Sequence, residues 1–554
     1  MVISYVGYQT KVFDLDIKRN QRLDIELDYG MELQEFVVSA ESMRRVSQLA
    51  QMSVISLPVI QAQNIPALLG EKDMLKVLQL LPGVQSGTEG TSGFFVRGES
   101  PDQNLIILDD ATVYNAHHLF GFFSVFNGDA IKNMQLYKGD FPARFGGRLS
   151  SVLDIQMKDG NKQKLAGEGG IGIISSRLTL EGPLVKDKAS FLVSGRRTYV
   201  DLLMKPFLRA SSEPNEKIGA GVFFYDFNAK VNHDISQKSR LFISTYFGHD
   251  KFYFEVDKRD YGDRFHLLWG NQTATARLAT IFSEKLFGSG AIIFSKYQME
   301  VGSFNRFNNN IWELKYNTGI RDIGAKYDLT LNPHPNHFLR TGIQVIHHHI
   351  TPRAIIQKEG GPATRPVVFK ELENTLESAA YVENEISIGD FVRINPGLRF
   401  THFVADSTTC QNLEPRISAN ILFSPVFSFK TSFASMNQYL HLLSSTGIGL
   451  PTDLWVGSTR RIKPQRTWQV EAGLAYDWLD KSFEVTLEGY YKKMRDIISY
   501  KEGASFIEFQ DPAFSQNFNW QDQITAGTGE AYGVELLLHR KKGRLSGWVG
   551  YTLA

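Results

Sequence analysis

Apolar and polar residues alternate one by one along most of residues 165–554. Between residues 223 and 232, the odd-numbered residues are apolar and the even-numbered residues are mainly polar. The odd-numbered residues are Phe223, Tyr225, Phe227, Ala229 and Val231, and the even-numbered ones are Phe224, Asp226, Asn228, Lys230 and Asn232. A period of two places the two sets on opposite faces of a β-strand. About 16 segments of roughly ten residues show this pattern, which is the length of a strand that crosses a membrane.

The connections between these segments alternate between short and long. Short polar turns fall at 186–188, 236–239, 334–336, 388–390, 480–481 and 541–544, and long segments fall between them at 202–221, 251–265, 351–375, 442–463 and 494–529. A membrane barrel has short periplasmic turns on one rim and long outer loops on the other. The pattern therefore predicts a mainly β protein built on an antiparallel transmembrane β-barrel. A large soluble all-β protein is the alternative.

The first 160 residues follow a different pattern. Residues 1–30 contain two short strand-like segments, and residues 31–41 form one extended apolar stretch. Residues 42–160 mix short strands with a helix predicted over 73–81, which Pro82 and Gly83 end. We therefore predict four segments, 1–30, 31–41, 42–160 and 161–554, of which the third is an α/β domain.

Composition narrows the class of protein. The 60 Lys and Arg residues are balanced by 59 Asp and Glu residues, so the chain has no basic field for nucleic acid. Aromatic residues make up 12% of the chain, which suits a β-barrel, and no apolar run reaches the roughly 18 residues of a spanning helix. The single cysteine, Cys410, excludes an internal disulfide. We see no signal peptide, and the last residues stop inside a predicted strand, so we expect a fragment at both ends.

An ordered set of motifs runs through residues 64–160 and continues into the barrel segment. The motifs are Pro66-Ala67-Leu68-Leu69-Gly70, Leu81-Pro82-Gly83-Val84, Phe95-Val96-Arg97-Gly98, Asp102-Gln103-Asn104-Leu105, Val113-Tyr114-Asn115, Tyr137-Lys138-Gly139, Arg144-Phe145-Gly146-Gly147, Glu181-Gly182-Pro183-Leu184, Ser194-Gly195-Arg196-Arg197 and Tyr532-Gly533-Val534-Glu535. Together they resemble TonB-dependent outer-membrane receptors of the Bacteroidetes type. One position departs from the family pattern, because Glu99 stands where a second glycine is usual and Glu tolerates positive φ poorly.

The resemblance implies both an architecture and an activity. Residues 1–30 are similar to the end of a carboxypeptidase-regulatory-like domain, and residues 42–160 to a plug domain that lies in the barrel lumen. The family barrel has about 22 strands, of which this chain supplies about 16. A ligand binds outside, the inner-membrane protein TonB pulls on an N-terminal segment, and the plug shifts to let the ligand into the periplasm.

The stretch before the plug is similar to a TonB box. A β-prone peptide without proline can add a strand to the sheet edge of a partner. The resemblance implies that TonB binds here, through Leu33, Glu35, Phe36, Val37, Val38, Ser39 and Ala40. A plain linker strand is the alternative.

Two loops of the plug are expected at its outer apex, where a ligand arrives. In the second loop, aromatic and His side chains on a Gly-containing segment suit a ligand of mixed polarity: Tyr114, Asn115, His117, His118, Phe120 and Phe122. Packing of this loop against the barrel wall is the alternative. Farther along, His347 and His349 share one strand face, which we expect to line the lumen. We expect no metal site at either place.

Charges on the plug and on the barrel are expected to hold the plug at rest. Arginine pairs strongly with carboxylates, and we predict such pairs between plug arginines and lumen-facing glutamates: Arg97, Arg144 and Arg148 with Glu471, Glu488 and Glu535. Separate solvation of these groups in a wet lumen is the alternative.

The function that follows is that of an outer-membrane receptor for energy-coupled uptake of a nutrient, with TonB, membrane lipid and a small ligand as partners. A ferric siderophore is the first expectation from the resemblance, while cobalamin, glycans and peptides stay open. The alternative is a surface binding or adhesion protein without transport. We find no pattern of catalytic residues and predict neither an enzyme nor a cofactor.

Overall fold

The computed structural model describes residues 46–58, 73–87, 93–361, 364–406, 408–443, 454–478, 482–502, 519–541 and 545–554, with the backbone of 2–3 and 11–12. At the N-terminus it gives two short paired strands, β1 (Val2–Ile3) and β2 (Lys11–Val12). The rest of predicted segment 1–30 and all of the predicted TonB-binding stretch, including Leu33, Glu35, Phe36, Val37, Val38, Ser39 and Ala40, lie outside the described residues.

The N-terminal domain combines one short helix with small sheets. Helix α1 (Met74–Leu78) begins where Asp73 accepts hydrogen bonds from the amides of Leu75 and Lys76, at 2.9 and 3.3 Å. It is shorter than the predicted 73–81. The strands are β3 (Val54–Pro58), β4 (Val84–Ser86), β5 (Phe94–Val96), β6 (Asn104–Leu108), β7 (Ala111–Thr112), β8 (His117–His118), β9 (Phe123–Ser124), β10 (Ile131–Lys138) and β11 (Ser151–Met157).

The central sheet of this domain has the order β3-β10-β11-β6-β7. Only β11 and β6 run parallel, and the apolar face of the sheet packs against α1 in a common core that includes Leu75, Leu78, Leu136 and Leu153. Burial of these side chains, rather than the propensity of a five-residue helix, stabilises α1.

The C-terminal part forms one antiparallel sheet of 18 strands. Its first strands are β12 (Ala166–Ile171), β13 (Ser175–Val185), β14 (Ala189–Thr198), β15 (Lys217–Ser236), β16 (Ser239–Asp257), β17 (Tyr261–Ser283), β18 (Leu286–Phe307), β19 (Asn310–His334), β20 (His337–Gly360) and β21 (Val367–Lys370). The sheet continues with β22 (Glu373–Ile388), β23 (Val392–Ala405), β24 (Thr408–Ser424), β25 (Phe427–Gln438), β28 (Gln465–Trp478), β29 (Phe483–Tyr500), β30 (Ile524–Arg540) and β31 (Gly547–Leu553).

The strand count corrects the sequence prediction of about 16. Residues 166–181 turn at 172–174 and contribute both β12 and part of β13. Within the expected loop 351–375, residues 367–370 pair with β20 as β21. Glycine-rich and short strands carry too few alternating side chains to be recognised from sequence.

The 18-stranded sheet surrounds the N-terminal domain. Side chains of this domain contact strands from β13, through the Asp129–Arg177 pair, to β31, where the Trp548 indole donates to the carbonyl of Leu80. The two strand faces therefore have different surroundings. On β15 the even-numbered residues face the domain, and Phe224 is fully buried there, whereas Phe227 on the odd face is 43% exposed. The predicted arrangement of a plug in a barrel is confirmed.

On the outer rim, paired strands replace some of the expected loops. Strands of 19 to 25 residues, from β15 to β20, exceed the roughly ten residues that cross a membrane. The expected loop 251–265 is mostly strand, with β16 and β17 joined through residues 258–260. The strands stay paired beyond the membrane although apolar and polar residues alternate only weakly there. Among the described residues, no helix has the length and hydropathy needed to cross a bilayer.

The placement of the rims can be tested with epitope tags in the protein. A tag at Gly361, beyond β20, is expected to be reached by antibody on intact cells. A tag at Lys238, in the short turn between β15 and β16, is expected to require permeabilised cells, because short turns face the periplasm. The reverse pattern would contradict the assigned orientation.

Candidate functional site

A cluster of buried charges joins the plug to the barrel. Its members, called the Arg97 cluster, are Ser53, Arg97 and Lys138 of the plug and Glu471, Glu488 and Glu535 of the barrel. The guanidinium of Arg97 contacts Glu471 at 2.6 Å, Glu535 at 2.8 Å and Glu488 at 3.6 Å, and its side chain has 0% exposure. Lys138 contacts Glu535, and the Ser53 hydroxyl lies 2.9 Å from Glu471.

The backbone of Arg97 is in an unusual conformation that aims its side chain at the barrel. Its φ is +53°, followed by +77° at Gly98. A non-glycine residue in this region costs free energy and persists only when its surroundings hold it. Burial by itself would lower the pKa of Arg97, but the carboxylates of Glu471 and Glu535 raise it well above its usual value. Arg97 therefore stays charged in the cluster.

The barrel wall supplies the carboxylates that pair with the cations of the plug. Glu471, Glu488 and Glu535 belong to β28, β29 and β30, which are adjacent strands. Glu488 and Glu535 stand directly opposite each other across a strand pair. Like charges in that arrangement destabilise a sheet. The cations Arg97 and Lys138 offset this repulsion, so the charge balance of this wall depends on a docked plug.

Two of the three arginines predicted for this contact lie elsewhere. Arg144 pairs with Glu383 of β22 at 2.6 Å, and its other nitrogen donates to the hydroxyl of Tyr137. Arg148 donates to the carbonyl of Gly147 and lies 5.3 Å from the ring centroid of Trp455. The prediction was wrong in pairing Arg144 and Arg148 with Glu471, Glu488 and Glu535, because loop geometry directs them to other parts of the wall.

Contacts of the opposite polarity were missed by sequence reasoning. Asp110 of the plug pairs with Lys326 of β19 at 2.5 Å, and Asp109 with Lys230 of β15 at 3.2 Å. The alternation of β15 already places Lys230 on the polar face, so one half of this contact was visible in the sequence. The plug is therefore held by anionic as well as cationic side chains.

Glu99, the position that departs from the family pattern, is also part of the plug–barrel contact. Its carboxylate lies 2.9 Å from the ammonium of Lys492, and both side chains have 0% exposure. Positive φ occurs at Arg97 and Gly98, and Glu99 is not among the residues that adopt it. The turn thus accommodates Glu at this position without strain.

The second apical loop is anchored to the wall by His118. Its two ring nitrogens lie 2.7 Å from Asp226 of β15 and 2.5 Å from Asp250 of β16. The imidazole stacks on Phe224 with 4.1 Å between ring centroids. Burial alone would lower the pKa of His118, but the two aspartates raise it to about 9. The side chain is therefore protonated at neutral pH and is not open to a ligand in this state.

Most of the other predicted ligand residues contact the barrel wall or each other, and one is exposed. The Tyr114 hydroxyl donates to Asp322, Asn115 exchanges backbone hydrogen bonds with the Asn271 side chain, and Phe120 packs on Trp269. His117 donates its amide to the side chain of Asn115. Phe122, in contrast, is 50% exposed. The geometry thus favours the packing alternative for most of this loop, and a ligand role for these residues stays a prediction.

A hairpin from the outer rim covers the apical loop. It consists of β26 (Leu440–Leu443) and β27 (Leu454–Gly457), so it begins two residues before the expected loop 442–463 and continues into it. Its Trp455 meets the ring of Tyr114 edge-on at 4.9 Å, and the Leu442 amide donates to Asp102 of the plug. The hairpin and the wall strands thus form a buried hydrophobic cluster above the plug, which includes Trp269, Tyr297, Tyr316 and Trp455.

The three consecutive histidines of β20 have the opposite orientation to the one expected. His348 is buried on the lumen side and lies 2.8 Å from Asp322, whereas His347 and His349 are on the outer face. The alternation of side chains along a β-strand shows only that neighbouring residues face opposite sides of the sheet. Among the described residues no group of three or more His, Cys, Asp or Glu side chains is arranged to hold a metal ion.

On the periplasmic side, a cavity of about 380 Å³ opens beneath the plug. Both kinds of plug–barrel contact border it, since its lining includes Lys138, Glu488 and Glu535 as well as Arg144 and Glu383. Movement of the plug at either contact would change the size of this cavity.

The His118 anchor is expected to weaken at high pH. Its pKa rises from 6.5 to about 9 on folding, so its stabilisation is complete below pH 6.5 and is lost as pH rises through 9. Hydrogen exchange of residues 114–126 in the protein should increase between pH 8 and pH 10, after correction for intrinsic rates. The His118→Gln variant, which does not titrate, should lose this extra increase. An equal increase in both proteins would contradict the anchor.

Comparison with protein families finds two matches. Residues 207–554 match the family described as TonB dependent receptor-like, beta-barrel, and residues 50–151 match the TonB-dependent Receptor Plug Domain. The first match by itself covers more than half of the chain. A search of curated proteins finds no match.

Several solved structures have a similar fold. The siderophore receptor PirA from Pseudomonas aeruginosa is 13% identical with a TM-score of 0.59, over 91% of this chain and 85% of that chain. FpvA of P. aeruginosa, in complex with a heterologous pyoverdine and iron, is 12% identical with a TM-score of 0.62, over 92% and 70%. The FrpB iron transporter from Neisseria meningitidis is 14% identical with a TM-score of 0.62, over 91% and 79%. At such identities the likeness is one of fold.

Proposed function

The chain belongs to the TonB-dependent receptor family, and from this premise we propose that it imports a ferric siderophore. As a member of the family it is an outer-membrane receptor whose barrel spans the bilayer. The observation that carries the proposal is the Arg97 cluster, which ties a lumen-filling plug to the wall through buried charges. Breaking such pairs is strongly unfavourable, so passage of a solute requires energy from outside the barrel.

The choice of ligand rests on the structural relatives and on the chemistry of the mouth. PirA is a siderophore receptor, FrpB is an iron transporter, and FpvA was solved with iron-loaded pyoverdine. Above the plug, Trp269, Tyr316 and Trp455 are buried in a hydrophobic cluster, whereas Phe122 of the apical loop is half exposed. An exposed aromatic ring favours stacking with a flat ring of a ligand. The proposed ligand class is therefore the siderophore.

The energy is supplied, in this proposal, through strand addition to TonB. The stretch from Leu33 to Ala40 is rich in β-forming residues and precedes the plug. Main-chain hydrogen bonds give such a peptide its affinity for a partner's sheet edge. The plug is the next folded segment along the chain, so tension on this stretch would act on it directly.

The proposal extends to the N-terminal organisation of the receptor. The alternating residues 22–27 suit the last strands of a carboxypeptidase-regulatory-like domain, and this domain together with the plug motifs is typical of Bacteroidetes receptors. Such a domain would place a folded unit before the TonB-binding stretch.

Uptake of radioactive iron tests the function directly. Cells that express the receptor at its natural length, and no other siderophore receptor, are offered ⁵⁹Fe-loaded catecholate or hydroxamate siderophores. We expect accumulation of one class, and we expect dissipation of the proton gradient to reduce it to surface binding alone. Binding that never becomes accumulation would favour the adhesion alternative. Uptake of cobalamin, glycans or peptides instead would replace the ligand and keep the transport activity.

A further inference from the structure

Helix α2 (Val200–Ser211), in the outer connection between β14 and β15, exposes an unusual amount of apolar surface. Phe207 is 75% exposed, Leu203 is 50% exposed, and Leu202 and Met204 are also largely uncovered. A short helix usually owes its stability to burial of its apolar face. The surroundings of α2 must therefore include something beyond the described chain.

The helix packs on the outside of the barrel wall. On β15 the even-numbered Phe224 faces the plug, so the odd-numbered Gly221 and Phe223 face outward. A side chain at Gly221 would meet Asp201 of the helix at 2.9 Å. Arg197, on the outer face of β14, pairs with Asp201 at 3.1 Å and lies over the ring of Phe223. These contacts fix α2 against the lipid-facing side of β15.

The height of the helix on the wall matches the edge of the bilayer. Strand β14 begins after a short periplasmic turn and ends at Thr198, after ten residues. About ten residues are what a tilted strand needs to cross the hydrocarbon layer. The helix begins two residues further on, so it starts at the outer edge of the hydrocarbon layer, where the headgroups lie.

The two sides of the helix differ in character. Residues three and four apart share a face, which puts Leu203, Met204 and Phe207 together. Lys205 and Arg209, spaced four apart, lie on the opposite side, while Asp201 faces the wall. An apolar face with basic residues opposite it is the pattern of helices that lie in a membrane interface.

We propose that α2 is an interfacial helix that lies in the outer leaflet of the outer membrane. Leu203, Met204 and Phe207 enter the boundary of the acyl chains, and Lys205 and Arg209 bind the phosphates of the lipid headgroups. The apolar outer face of the barrel, with Phe227 and Val193 exposed on neighbouring strands, continues into this surface. Lipid is favoured over a second protein because the helix prolongs a surface that lipid already covers.

Spin labels report the surroundings of this helix. In the receptor at its natural length, Cys410→Ser removes the single described cysteine, and one new cysteine is introduced at a time. The test positions are Leu203→Cys and Phe207→Cys. The lipid control is Phe227→Cys, and the water control is Val368→Cys, a 63% exposed residue of β21 beyond the outer end of the membrane. Label collisions with oxygen, which concentrates in lipid, and with a water-soluble nickel chelate are measured in vesicles of phosphatidylethanolamine and phosphatidylglycerol.

We expect the oxygen-to-nickel collision ratio at positions 203 and 207 to exceed that at position 368 by roughly fivefold and to approach that at position 227. A ratio equal to that at position 368 would place the helix in water and overturn the proposal. Low collision rates with both reagents would indicate that protein covers the helix, which also overturns it. Heat-modifiable gel mobility confirms that each variant is folded.

The basic side of the helix is tested separately. The double variant Lys205→Glu and Arg209→Glu, combined with the label at position 207, reverses the charges without touching the apolar face. We expect the collision ratio to fall at least twofold in vesicles that contain phosphatidylglycerol, because the helix is repelled from anionic headgroups. An unchanged ratio would overturn the role of Lys205 and Arg209 in binding phosphate.

Discussion

The substitution Val37→Pro is expected to abolish energy-dependent uptake while leaving ligand binding at the cell surface intact. Proline has no backbone N–H and cannot donate to a β-ladder. If TonB pairs with the stretch from Leu33 to Ala40 by strand addition, loss of one central hydrogen bond and the local change of backbone should prevent pairing. Accumulation of iron should fall to the level of cells without TonB.

A second proline variant covers both registers of this pairing. Successive N–H groups of a strand point to opposite sides, so Val37→Pro and Val38→Pro remove donors on different sides. At least one of them should stop uptake completely. Val37→Thr retains the N–H and the β propensity and serves as the matched control. Full energy-dependent uptake in both proline variants would refute a TonB box at this place.

Replacement of Arg97 by methionine is expected to release the plug from one side of the barrel. The change leaves the carboxylates of Glu471 and Glu535 buried without the guanidinium that both contact, and Lys138 remains the direct partner of Glu535. Removing one partner of a buried ion pair costs about 3–5 kcal/mol. Cells with Arg97→Met should therefore become permeable to large antibiotics that intact outer membranes exclude, and residues near Ser53 should become open to protease.

Two further variants separate the charge effect from a general loss of folding. Arg97→Lys keeps the charge but cannot form the bidentate contacts, so an intermediate leak is expected. In the double variant Arg97→Met and Glu471→Gln, the carboxylate of Glu471 that loses its cation is gone while Glu535 keeps Lys138 as its partner, and much of the barrier should return. A double variant that leaks as much as Arg97→Met would show that the cluster does not hold the plug through charge.

The architecture was accessible from sequence because its signals are local. Alternation of apolar and polar residues identifies strands wherever one face meets lipid and the other meets a packed lumen. The turn at Pro82 and Gly83 and the motif around Arg97 are also local, because each spans only a few consecutive residues. Alternation predicted the antiparallel barrel, the resemblance carried by the motifs implied a plug inside it, and both are confirmed.

Errors arose where short-range patterns are ambiguous. The outer extensions of β16 and β17 alternate weakly, so residues 251–265 resembled a loop although they pair. For the three consecutive histidines, alternation places His348 on the opposite strand face from its two neighbours, but it does not identify which face borders the lumen. That assignment depends on the position of the plug, which buries His348 beside Asp322.

The partners of charged residues were decided only by tertiary structure. Arg97 and Glu535 are 438 positions apart, and the pairing of Arg144 with Glu383 spans 239 positions. Nothing in either local sequence specifies the other, because the rotation of the plug inside the barrel selects which side chains meet. The sequence therefore determined that the plug carries cations and the wall carries carboxylates. The tertiary structure decided which of them form ion pairs, since a strong buried pair requires atoms within about 3 Å and exclusion of water.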